Sequence, residues 1–146
     1  MAKIAVQPIQ STGGGEAVLI GEFSLKGSRI DEFNIKLLRP IGDFSQIWVE
    51  AYNLTNNTGS NGTAYINDIG KRAFAAIMIR KYNETYKTDR SVVFLNKASE
   101  SSFCVYQASD LNPEICTSIV NMSTQDVTVT LNNYLENGTI RIYGIE

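Results

Sequence analysis

Apolar side chains recur at every second position over most of this chain, and runs of that kind end at Gly, Pro and Asn. A two-residue period places alternate side chains on opposite faces of a strand, so repeated short runs of it predict half-buried sheet. In 17–25, Leu19, Gly21, Phe23 and Leu25 alternate with Ile20, Glu22 and Ser24. Lys26-Gly27-Ser28 reads as a turn, and 33–38 repeats the pattern with Phe33, Ile35 and Leu37 on one face. Pro40 ends that run. In 44–52, Ile47, Val49 and Ala51 share a face opposite Trp48, Glu50 and Tyr52.

A short apolar piece at 64–66 returns the chain toward the core, and further strands are predicted at 92–95, 103–108, 115–120, 127–135 and 139–145. Residues 68–82 read two ways. Asp68 as a cap with Ile69, Ala73, Phe74, Ile77 and Met78 approximates a helical stripe. Strand from residue 73 is preferred, because Gly70 would open the helix and the flanks are sheet-like. Asn137-Gly138 fits a two-residue hairpin turn, which predicts Leu135 opposite Ile140 and Asn133 opposite Ile142. Leu131, Leu135, Ile140 and Ile142 then share one face, and Tyr134, Arg141 and Tyr143 the other.

About nine short strands with turns between them predict an all-β, antiparallel β-sandwich, jelly-roll or immunoglobulin-like in its Greek-key connections. The 146 residues suit one core, so residues 17–146 are read as a single β-sandwich domain. Residues 1–16 are read as a flexible N-terminal arm or edge strand plus a Gly-rich linker. Within the arm, Lys3, Ile4, Val6 and Ile9 are the residues expected to add a strand to a neighbouring subunit, hinged at Gly13 to Gly15.

Composition removes many chemistries. There is no histidine, which excludes imidazole bases, Ser-His-Asp and Cys-His nucleophiles and histidine metal ligands. The glycines at 13–15 lack the Gly-Lys-Ser/Thr of a phosphate-binding loop. The carboxylates show no calcium-loop spacing, and no pair among them is singled out as acid and base. The chain is read as non-enzymatic, with no cofactor and no metal.

Other residues invite binding roles. Trp48, Glu50, Tyr52 and Asn53 form a candidate carbohydrate platform, against the simpler reading of a tryptophan packed between sheets. Lys71, Arg72, Arg80, Lys81, Lys87 and Arg90 form a basic stretch interleaved with Tyr82 and Tyr86. It is read as a solvated strand face in preference to nucleic-acid binding, in keeping with a net charge of -2. Cys104 and Cys116 are a candidate disulfide, with two buried thiols as the equal alternative.

Asn-X-Ser/Thr occurs at Asn53, Asn56, Asn61, Asn83, Asn121 and Asn137, where random placement of 13 Asn and 23 Ser or Thr gives about two such triplets. They are candidate glycosylation sites or the ordinary turn residues of a β protein. No secretory leader or membrane span is readable. These features together predict a structural subunit of an assembled particle or filament, such as a virion coat, decoration or tail component at a virion or extracellular surface. It would associate as a homo-oligomer or with other structural subunits. The alternative is a carbohydrate- or receptor-binding β-sandwich module that meets a glycan or cell-surface receptor.

Overall fold

The computed structural model describes residues 16–56, 62–82, 85–108 and 114–146, with backbone alone for 80–82, 85–91, 104–108 and 114–119. Eight strands account for most of these residues: β1 (Ala17–Lys36), β2 (Gln46–Asn56), β3 (Gly62–Asn67), β4 (Ala73–Tyr82), β5 (Thr85–Ser99), β6 (Ser102–Ala108), β7 (Glu114–Ile119) and β8 (Asp126–Ile145). A single 3-10 turn, Ile41–Asp43, follows Pro40. The all-β antiparallel expectation is met. Residues 68–82 resolve into a loop and then strand β4, with Ala75, Ile77 and Ile79 buried and Met78 exposed, so the preferred reading of that segment holds.

Two expected hairpins are absent. Residues 17–36 run as one strand through Gly27, and residues 126–145 as one strand through Asn137-Gly138. The two pair with each other from Ala17↔Ile145 to Lys36↔Asp126. Leu135 lies opposite Ile30, not Ile140, and Ile140 lies opposite Phe23. Both turn signals mark real bends, but they face each other across the ribbon, Leu25↔Gly138 and Lys26↔Asn137, and the ladder skips between Lys26 and Ile30. The ribbon therefore bends out of its plane at one place instead of reversing within it. Merging two pairs of the expected strands, and adding β3 where only a short apolar piece was expected, gives eight among the described residues in place of about nine short ones.

The bend brings the halves of β1 together. Leu38 N–H donates to the Ile20 carbonyl at 2.9 Å, and the Phe23 and Phe33 rings stack with centroids 3.6 Å apart. A bulge between Leu19 and Gly21 changes the face on which alternate residues emerge. Leu19 thus lies outside with Trp48, separate from Phe23, against the expected grouping. The irregular stretch before Gly138 has the converse effect, and Leu135, Ile140 and Ile142 share the core as expected.

All eight strands belong to one curled sheet. Its pairings run β8–β2–β5–β4–β3 and back to β8, because the C-terminal half of β8 pairs with β2 and its N-terminal half with β3. The concave side holds a contiguous core from Ile20 and Ile35 to Val93, Leu95, Phe103 and Ile142. Branched side chains suit this surface because their restricted rotamers fit a pleated sheet. No helix among the described residues is long and apolar enough to cross a membrane.

Candidate functional site

The convex side of the β1–β8–β2–β5 layer carries the polar and aromatic residues that the alternation places opposite the core. Cross-strand partners form rows on this face. Leu19, Tyr143, Trp48 and Phe94 make one row, in which Trp48 and Phe94 meet edge to face at 5.4 Å. With Ile145 and Ala17 they form a second, smaller apolar cluster. Trp48 keeps 4% of its surface, and its indole N–H donates to Gln46 Oε1. Trp48 is thus a packed residue, as the simpler of its two readings has it.

The next row is charged: Glu22, Arg141 and Glu50 are register partners. Arg141 Nε donates to Glu22 Oε2 at 2.7 Å, which raises the guanidinium's proton affinity above its ordinary value. Its guanidinium lies 5.4 Å from the centre of the Tyr52 ring, and the Tyr52 hydroxyl donates to Glu50 Oε1. Glu50 is only 1% exposed, so it too is withdrawn from an open platform.

Burial holds the Tyr143 phenol above its ordinary value of 10.0, with Glu50's charge acting in the same direction and Arg141 against it. The folded chain keeps this proton after the unfolded chain has released it. The stability that comes from this group is whole below about pH 10 and is lost as pH rises toward the folded-state value. Tyr143→Phe is expected to flatten the alkaline decline. Urea midpoints of the two proteins between about pH 8 and about pH 11 test this, and parallel curves would reject it.

The third row, Ser24, Thr139 and Tyr52, opens into a shallow groove of about 500 Å³ that also takes in Lys26, Asn53 and Asn137. Ser24 Oγ and Thr139 Oγ1 are 2.9 Å apart. Asn137 joins three strands, accepting from Gly27 N–H at 2.8 Å and donating from Nδ2 to Thr55 Oγ1 at 3.0 Å. Tyr52 and Asn53 thus remain at an accessible site, while Trp48 and Glu50 do not.

Asn53 is exposed with φ 53°, and Asn121 is exposed in the loop before β8, where its Oδ1 accepts from Ser123. Asn56 is 5% exposed, and Asn137 is half-buried with its Nδ2 donating to Thr55. Asn61 and Asn83 lie outside the described residues.

Lys71 and Arg72 are exposed in the β3–β4 loop. Arg80, Lys81, Lys87 and Arg90 have their backbone positions at the other end of β4 and on β5, about 25 Å away at the usual strand rise. Their side chains lie outside the described residues. Cys104 is the register partner of Thr117 and Cys116 that of Val105, and the two thiols also lie outside the described residues. The arm residues Lys3, Ile4, Val6 and Ile9 do as well. Among the described residues there is no group of three or more His, Cys, Asp or Glu placed to hold a metal ion.

Sequence reasoning missed Glu22, Ser24, Lys26, Arg141 and the Asn137–Thr55 link as parts of this face. The available signal was the pair of turn motifs at 26–28 and 137–138, but their apposition depends on strands more than a hundred residues apart.

No family model and no curated protein matches the chain. Among solved structures it is similar to the CBM2 module of Lactobacillus casei BL23 phage J-1 evolved Dit, at 10% identity and a TM-score of 0.42, over 99% of this chain and 82% of that one.

Proposed function

We propose that the chain is a non-enzymatic structural subunit of an assembled particle or filament, of the virion coat, decoration or tail type, joined to its neighbours through the rim of β1. One observation carries this reading: β1 is twenty residues long and, among the described residues, pairs with β8 alone. On either side of its bend this edge offers a ladder of backbone donors and acceptors to an incoming strand. Glu22, Lys26, Arg29, Asp31, Glu32 and Lys36 are exposed along it. Mixed charges of this kind oppose indiscriminate edge pairing and favour one matched partner.

The partner in this reading is residues 3–9 of an adjacent copy, laid along β1 as an added strand. The two halves of the bent ribbon then act as the two layers of a sandwich, and the exposed loops face the exterior of the particle or the extracellular medium. Deleting residues 1–12 is expected to lower the native mass of the assembled species and its thermal midpoint together. Native mass spectrometry and thermal unfolding of both proteins check this. An unchanged mass with unchanged stability would overturn the arm.

A further inference from the structure

Three departures from regular sheet converge on the groove beside Tyr52. The β1–β8 ladder skips between Lys26 and Ile30, and the β2–β8 ladder skips between Tyr52 and Thr55. Across that second skip stand two residues with positive φ, Asn53 at 53° and Gly138 at 138°. A side chain at 138 is excluded, since a Cβ there would lie 2.5 Å from Leu54 Cδ2 and 2.8 Å from Leu54 Cα. Bulges re-aim side chains and gather where sheets carry function. Here β2 continues as a strand through the irregularity while Asn53 is exposed at the groove beside Tyr52.

We propose that this groove binds a short saccharide. Its lining supplies two hydroxyls, Ser24 and Thr139, the Asn53 amide and the Tyr52 ring, with Lys26 as its charged side chain. A sugar alternates hydroxyl groups with C–H faces, and a lining of hydroxyls and amide around an aromatic ring matches both. An apolar ligand calls for an enclosed apolar pocket, and a phosphate chain for several cations, where this groove has one. The volume of about 500 Å³ accommodates a ligand of a few rings lying along the surface. The proposal does not depend on assembly through β1, because the groove lies within a single chain.

The test is a microarray of neutral and carboxylated glycans probed with the full chain, followed by titration of each retained glycan. Asn53→Gly keeps the left-handed backbone and removes the amide, and it is expected to weaken binding at least about tenfold, the scale of one lost polar contact. Tyr52→Leu removes the ring and is expected to weaken binding several-fold or more. Lys26→Ala is expected to weaken carboxylated glycans more than neutral ones. Asn121→Ala, in a separate loop, serves as the control with unchanged affinity. Retention of no glycan, or binding that Asn53→Gly leaves intact, would overturn the site. Thermal midpoints accompany each variant, so a folding defect is not mistaken for lost recognition.

Discussion

Phe44→Ala is expected to destabilise the fold by about 3–5 kcal/mol, with a coupled response at Gly144. Phe44 is among the largest fully buried side chains, and its ring lies directly over the Gly144 backbone. A Cβ at 144 would fall 2.5, 2.6 and 2.7 Å from three of the ring carbons. The absence of a side chain at Gly144 is therefore what lets the ring seat between the 3-10 turn and the final strand. Gly144→Ala alone is expected to cost about 1–3 kcal/mol by overpacking. In the double variant the new methyl group occupies space that the ring has vacated, so the combined loss should be smaller than the sum of the two. Denaturant unfolding of the four proteins measures the coupling. Simple additivity would show that the two residues do not share this space.

Asp68→Ala is expected to cost about 3–4 kcal/mol, a large effect for one polar residue. Asp68 is 2% exposed and spends both oxygens on backbone donors. Oδ1 accepts from Gly70 and Arg72 N–H, each at 2.9 Å, and Oδ2 accepts from Asn121 N–H at 2.9 Å. The carboxylate thus closes the β3–β4 loop and ties it to the loop before β8. That second loop holds the 3-10 turn, through Ile41 N–H to the Thr124 carbonyl and Gly42 N–H to the Met122 carbonyl. Alanine removes three charge-assisted bonds together and unties this end of the molecule. Asp68→Asn would keep the Oδ1 bonds but turn an amide N–H toward that of Asn121, so its stability should fall between those of wild type and Asp68→Ala. Equal stability of all three proteins by urea denaturation would remove Asp68 from this role.

Much of the architecture was legible in the alternation of side chains. Ile47, Val49 and Ala51 are core residues because every second position of a half-buried strand faces inward, and that parity needs no knowledge of the partner. The break expected at Pro40 comes earlier, since β1 ends at Lys36 and Pro40 leads into the 3-10 turn. Less of the candidate site could be read. Trp48 and Glu50 were placed on the correct face, but parity does not report how deeply a face is covered. Asp68 was noticed as a cap, yet its Asn121 partner is a long-range contact with no local signature.

The sequence by itself determined which residues turn inward, where the chain must bend and which chemistries have no residues to support them, since these follow from local sterics and side-chain identity. Tertiary structure alone decided what each bend does. Gly27 and Asn137-Gly138 are two local turn preferences, and either would close a hairpin in isolation. Instead β8 pairs along its length with β1 on one side and with β2 and β3 on the other, so its backbone groups are partnered on both edges and the opposed bends fold one continuous ribbon over the core. The groove beside Tyr52 exists because three strands lose register at the same place.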